Sequence, residues 1–115
     1  MKKLNELTMA EFWDWINSLC DYEVPREKPE HFEQAIFEDS KYKLCIDVLE
    51  DDREDEYWYY TVKISRFDSP TDSVIIRWTG DYDSWNGVEW NQEPEMVIEK
   101  SETRVVTWYE SVNNG

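Results

Sequence analysis

The first hydrophobic positions of the chain recur every three to four residues, which is the period of an α-helix. These positions are Phe12, Ile16, Leu19 and Cys20. Thr8 and Glu11 lie just before them, at the spacing of a capping box, the residue pair that typically starts a helix. The pattern therefore predicts a helix over residues 8–20 whose apolar stripe faces the core.

A second, shorter helix is predicted over residues 29–39. Pro29 suits the first helical position, where a backbone N–H is not needed. Phe32, Ala35 and Ile36 follow at helical spacing and predict a buried stripe. The charged segment between the two helices contains Pro25, which ends helical continuity.

From Lys41 onward apolar and polar positions alternate, which is the period of a half-buried β-strand. The predicted strands cover residues 41–48, 57–67 and 73–79, a short segment at 88–90, and a final hairpin of 95–100 and 103–110. Three connections are predicted between them: a long acidic hairpin loop at residues 50–56, a turn at 69–72 and a long connection over 80–94.

The order of these elements predicts an α+β fold, with two N-terminal helices packed on one face of a roughly five-stranded antiparallel sheet. We expect residues 1–115 to form a single acidic domain, since a chain of this length supports one core. The opposite face of the sheet is predicted to face water. Its residues would be Lys43, Asp47, Tyr57, Tyr59, Lys63, Arg77 and Glu99.

The charge of the chain narrows the choice of partner. It contains 27 Asp and Glu residues against 12 Lys and Arg, a formal net charge of −15, whereas a net charge of about 2–8 serves the solubility of a small domain. Such acidity disfavours direct binding to nucleic acid or to an anionic membrane, because phosphates attract lysine and arginine. The 7 Trp, 7 Tyr and 4 Phe residues favour a folded rather than a disordered chain.

Residues suited to catalysis or metal binding are sparse. His31 is the sole histidine and lies on a charged helix flank beside Glu30, so no Ser-His or Cys-His arrangement is predicted. The chain has no glycine-rich phosphate loop. Residues 81–87 resemble the opening of an EF-hand, but Gly87 falls at the seventh rather than the sixth loop position. We expect no enzyme activity, no cofactor and no bound metal.

The two cysteines, Cys20 and Cys45, lie in apolar contexts without a C-x-x-C motif and are expected to be buried free thiols. The N-terminus lacks the apolar region of a signal peptide, and no apolar run approaches the roughly 20 residues of a membrane span. These features predict a cytoplasmic protein.

Acidic residues concentrate in three stretches, residues 21–39, 50–56 and 81–99, and the last contains no Lys or Arg. On a strand, side chains at i and i+2 lie about 6.6 Å apart, comparable to successive phosphates of DNA, so their carboxylates would suit a basic nucleic-acid-binding cleft. Trp85 and Trp90 are the expected anchors. The candidate partner-binding residues are Glu50, Asp51, Asp52, Glu54, Asp55, Glu56, Asp81, Asp83, Trp85, Glu89, Trp90, Glu93 and Glu95.

In its size, acidity, aromatic content and lack of a catalytic constellation, the chain resembles phage-encoded inhibitor proteins, a class that includes DNA-mimic and anti-CRISPR proteins. The resemblance implies a non-catalytic inhibitor that binds the basic cleft of a nuclease, such as a CRISPR effector, in the bacterial cytoplasm. Its composition also resembles that of bacterial immunity proteins that neutralise a toxin nuclease. The sequence leaves three further classes open: a sugar- or cation-binding module that uses Trp78, Trp85 and Trp90 as a stacking platform, an enzyme of unrecognised type, and a structural protein.

Overall fold

The computed structural model describes residues 3–20, 22–40, 44–90, 92–101 and 107–112. Its helices are a short 3-10 helix at Leu4–Glu6, α1 at Met9–Cys20 and α2 at Pro29–Ser40. Its strands are β1 (Leu44–Glu54), β2 (Tyr57–Arg66), β3 (Ser69–Asp83), β4 (Gly87–Glu89), β5 (Glu95–Ser101) and β6 (Thr107–Ser111). Part of the predicted last strand, residues 103–106, and the start of the first, residues 41–43, lie outside the described residues.

The described strands form one antiparallel sheet in the order β1-β2-β3-β5-β6, so β1 forms one outer edge. β4 and β5 both pair with the edge of β3 that β2 leaves open, β4 at residues 81–83 and β5 at residues 75–77. This arrangement confirms the predicted α+β fold with N-terminal helices and an antiparallel sheet.

Helix α1 begins at the predicted capping box. The Thr8 backbone N–H donates to Glu11 Oε1 at 3.0 Å, and the Glu11 N–H donates to Thr8 Oγ1 at 3.2 Å. Phe12, Ile16 and Cys20 are buried, as the apolar stripe predicted. The start of the helix and its buried face therefore follow from local sequence alone.

The core lies between the helices and one face of the sheet. Trp78 of β3 is fully buried at its centre, and its ring centroid lies 5.1 Å from that of Phe32 in α2. The Trp78 indole N–H donates to the backbone carbonyl of Arg26 at 2.8 Å, which ties the connector between the helices to the sheet. This hydrogen bond satisfies the one polar atom of a large apolar side chain.

Tyr60 of β2 is buried on the same face and donates its hydroxyl to Glu33 of α2. Burial and the neighbouring Glu33 carboxylate raise the pKa of Tyr60 well above its ordinary value. The phenol therefore stays protonated and keeps its role as a hydrogen-bond donor at neutral pH.

The first hairpin differs from the prediction. Residues 50–54 are not loop but continue β1, and the connection to β2 is a tight turn at Asp55 and Glu56. Asp55 adopts a φ of +56°, in the left-handed region that Asp tolerates better than most residues. Asp and Glu are depleted in strands, so the acidic composition of residues 50–54 did not predict one. The exposed positions of a strand nevertheless accept these side chains.

The predictions for β3 were also too short. The predicted turn at residues 69–72 belongs to β3, and the reversal lies at Phe67 and Asp68 instead. The predicted connection over residues 80–94 contains the end of β3 and the whole of β4. Cys20 is buried as expected but Cys45 is exposed, because it lies on the face of β1 that is turned away from the helices.

Replacing Asp55 by alanine is expected to lower the free energy of unfolding by about 1 kcal/mol, since alanine is strained at positive φ. Urea unfolding would measure the change. Asp55→Asn is the matched control, because it removes the same charge while asparagine accepts this conformation. An equal loss in both variants would attribute the effect to charge rather than to backbone strain.

Candidate functional site

Strand alternation divides the acidic residues of β1 between the two faces of the sheet. Tyr60 of β2 points into the core, so its neighbours Tyr59 and Thr61 point away from the helices. Paired residues on adjacent strands share a face, and Asp52 pairs with Tyr59 while Glu50 pairs with Thr61. These side chains therefore project from the sheet face opposite α1 and α2, which we call the open face.

Three cross-strand rows on the open face hold six of the thirteen candidate residues. They are Glu54–Tyr57–Asp81–Glu89, Asp52–Tyr59–Thr79 and Glu50–Thr61–Arg77–Glu95. Along β1 the carboxylates recur at every second residue, which spaces them by about 6.6 Å. The fold thus brings together acidic residues from sequence segments 50–54 and 81–95.

The row nearest the middle of the sheet is partly neutralised. Arg77 Nη2 lies 3.0 Å from Glu95 Oε1, and Arg77 Nη1 donates to the backbone carbonyl of Tyr109 at 3.3 Å. Glu50 Oε1 accepts a hydrogen bond from Thr61 Oγ1 at 2.8 Å. Thr61 is fully buried. This row of the open face is therefore less exposed to solvent than the sequence predicts.

The end of the open face that lies near the β1–β2 turn is more acidic. Within the described residues, Glu54 and Glu89 form no ion pair. A cleft of about 430 Å³ opens there between the start of β2 and the β3–β4 hairpin. It is lined by Glu56, Tyr57, Asp81, Tyr82, Asp83, Asn86, Gly87 and Glu89, a set with four carboxylates and no Lys or Arg.

The β3–β4 hairpin holds Trp85 at its tip. The side chain of Asp83 fixes this turn, since Oδ1 accepts the Trp85 backbone N–H at 2.8 Å and Oδ2 accepts the Asn86 side-chain amide at 3.4 Å. Gly87 completes the turn with a φ of +76°. Trp85 is 92% exposed, so a large apolar ring stands in solvent beside the acidic cleft.

The second predicted anchor, Trp90, lies elsewhere. It is partly buried against the core, with its ring centroid 6.5 Å from that of Tyr60. Gly80 makes room for it, because a Cβ at residue 80 would lie 2.8 Å from the Trp90 ring and 2.6 Å from Val88. The stacking platform of Trp78, Trp85 and Trp90 is therefore not formed, since only Trp85 is exposed.

Four more candidate residues lie off the open face. Asp51 is on the helix side of β1, where its Oδ1 accepts the Trp58 indole N–H at 2.7 Å. Asp55 and Glu56 form the hairpin turn, although Glu56 reaches the rim of the cleft. Glu93 lies in the loop before β5, 4.0 Å from Arg26.

Tyr57 and Tyr59 belong to two of these rows, next to the carboxylates of β1. Arg77 packs beside Tyr59, with its guanidinium carbon 5.3 Å from the ring centroid. The sequence prediction does not assign Arg77 to the site. The signal is present in the alternation of β2 and β3, but only the register of the strands places Arg77 between Thr61 and Glu95.

Within the described residues, no group of three or more His, Cys, Asp or Glu side chains is placed to hold a metal ion. The EF-hand-like residues 81–87 instead form a β-hairpin. In the same part of the chain, no helix is long and apolar enough to cross a membrane. Comparison with known proteins found no matching family model, no matching curated protein and no matching solved structure.

Proposed function

We propose that this protein is a non-catalytic inhibitor that binds the basic nucleic-acid-binding cleft of a nuclease, such as a CRISPR effector, by imitating the charge of DNA or RNA. The observation that carries the proposal is the set of regularly spaced carboxylates on the open face. Asp52, Glu54, Asp81, Asp83 and Glu89 come from two distant chain segments and meet on one rigid sheet. A fixed row of negative charge is what a channel built for phosphates attracts.

Charge alone does not account for tight binding, because exposed ion pairs contribute only about 0–1 kcal/mol each. Its effect is on the rate of encounter, which steering raises by about 10- to 1000-fold at low salt. Affinity needs aromatic anchors, and Trp85, Tyr57 and Tyr59 stand beside the carboxylates. We assign these three rings to the contact with the nuclease, whereas Trp90 packs against the core.

The proposal places the protein in the bacterial cytoplasm as a phage-encoded inhibitor. An exposed thiol such as that of Cys45 suits a reducing compartment. The inhibitor acts by occupancy, so it needs neither a cofactor nor a metal.

Capture from a bacterial host lysate tests the function. The immobilised protein is expected to retain a Lys- and Arg-rich nuclease at low salt, and a double-stranded DNA oligonucleotide should displace it in competition for the same cleft. Loss of the captured nuclease at high salt is also expected. Purified nuclease should then lose cleavage activity when the protein is added.

Two results would contradict the proposal. One is a captured protein that neither salt nor DNA displaces. The other is a nuclease that binds the protein yet cleaves DNA at its normal rate. If the inhibited nuclease proves to be a toxin encoded beside this gene, the protein is an immunity protein instead.

A further inference from the structure

Every arginine in the described residues stacks on an aromatic ring. The distances from the guanidinium carbon to the ring centroid are 5.7 Å for Arg26 on Trp13, 4.7 Å for Arg53 on Tyr82, 4.8 Å for Arg66 on Trp15 and 5.3 Å for Arg77 on Tyr59. Three of the four also approach a carboxylate, at 4.0 Å for Arg26–Glu93, 2.7 Å for Arg66–Asp72 and 3.0 Å for Arg77–Glu95. The fold thus repeatedly combines a ring and a carboxylate to hold a guanidinium.

The same combination occurs once more on the open face without an arginine of this chain. Tyr57 lies two residues before Tyr59 on the same strand and the same face, and 40% of it is exposed. Glu54 pairs with it on one side and Asp81 on the other, and Glu89 is next in the row. Within the described part of the chain, no Lys or Arg packs over the Tyr57 ring.

We propose that the Tyr57 end of the open face receives an arginine side chain from the basic partner. The guanidinium stacks on the Tyr57 ring and pairs with Glu54 and Glu89, as Arg77 stacks on Tyr59 and pairs with Glu95. This inference rests on the proposed function and deepens it, because it assigns the partner's contact to arginine rather than to lysine. The charge complementarity of Glu54 and Glu89, which form no ion pair within the described residues, identifies the occupant.

The difference between an arginine guanidinium and a lysine ammonium explains the expected preference for arginine. A guanidinium is planar and weakly hydrated, so it can lie flat on a ring while its N–H groups reach carboxylates at its edges. A lysine ammonium is a compact, strongly hydrated charge, and it gains less from the same ring. Bidentate pairing gives a guanidinium some advantage at any carboxylate, and the Tyr57 ring adds to that advantage.

Calorimetric titration with capped hexa-arginine and hexa-lysine peptides at low salt tests this inference. The wild-type protein is expected to bind hexa-arginine more tightly than hexa-lysine. Tyr57→Leu should weaken hexa-arginine binding by about two- to fivefold and leave hexa-lysine binding nearly unchanged. Tyr57→Phe keeps the ring and should retain the preference.

Tyr22→Leu is the matched control, since Tyr22 is 44% exposed but lies in the connector between the helices rather than on the open face. Its preference for arginine should equal that of the wild type. Backbone amide shifts in a ¹⁵N-labelled sample should place the hexa-arginine contact at residues 54–57 and 87–89.

The outcomes separate the two proposals. Equal binding of both peptides by the wild type, or a preference that Tyr57→Leu does not reduce, overturns the arginine contact and leaves the acidic docking surface intact. If neither peptide binds the wild type at low salt, both the arginine contact and the proposed function fail. A Tyr57→Leu effect that Tyr57→Phe shares would assign it to the hydroxyl and would also overturn the inference.

Discussion

Simultaneous replacement of Asp52, Glu54, Asp83 and Glu89 by their amides is expected to abolish inhibition and to slow association with the captured nuclease by about 10- to 1000-fold. The reason is that these carboxylates form the part of the open face that a basic cleft would meet first. Dissociation should change less, because Tyr57 and Tyr59 are unaltered and an asparagine at residue 83 still offers a side-chain oxygen to the Trp85 backbone N–H. Surface plasmon resonance at two salt concentrations would give both rates, and the salt dependence of association should flatten.

The matched control removes the same amount of charge from other parts of the surface. Glu6, Glu23, Glu27 and Glu38 are exposed and lie on the 3-10 helix, the connector and α2. Their replacement by glutamine should leave the association rate within a few-fold of wild type, since distant charges are screened. An equal loss in the control would mean that total charge, rather than the open face, determines binding.

Trp78→Ala is expected to destabilise the protein by about 3–5 kcal/mol, a large part of the roughly 5–15 kcal/mol that stabilises a typical domain. Trp78 is fully buried, contacts Phe32 and donates its indole N–H to the Arg26 carbonyl. Its removal leaves a cavity and an unpaired carbonyl at the junction of the helices and the sheet. Urea unfolding would measure the loss.

Trp85→Ala makes the same substitution at the most exposed tryptophan of the described chain. It should change the free energy of unfolding by less than about 0.5 kcal/mol, while it weakens binding to the captured nuclease by about 2 kcal/mol or more. Similar stability losses in both variants would contradict the assignment of Trp78 to the core. Unchanged binding by Trp85→Ala would remove Trp85 from the interface.

Local pattern was sufficient for the helices and for the class of fold. Helix α1 begins where Thr8 and Glu11 predict it, because both partners of a capping box lie within one turn. The alternation of β2 was equally direct, with Tyr60, Val62 and Ile64 all buried. In these elements the local preference and the tertiary packing agree.

Residues 50–54 show where local pattern was insufficient. Residues 50–56 contain six acids and one arginine, a composition that favours a loop, yet pairing with the aromatic residues of β2 holds residues 50–54 as a strand. Strand pairing rather than local sequence also assembles the candidate site, since Glu54, Tyr57 and Glu89 come together only through the register of β1 to β4. Trp85 and Trp90 likewise differ because Gly80, ten residues before Trp90, leaves space for that ring.

β1 is an edge strand of the sheet, so it could pair with a strand from a second copy of the protein. The unpaired N–H and C=O groups of an edge strand can form backbone hydrogen bonds with a strand of a second molecule, and this pairing starts aggregation. Here that strand carries Glu50, Asp52 and Glu54, so two such edges repel each other. The charge on β1 therefore keeps concentrated protein from associating edge to edge.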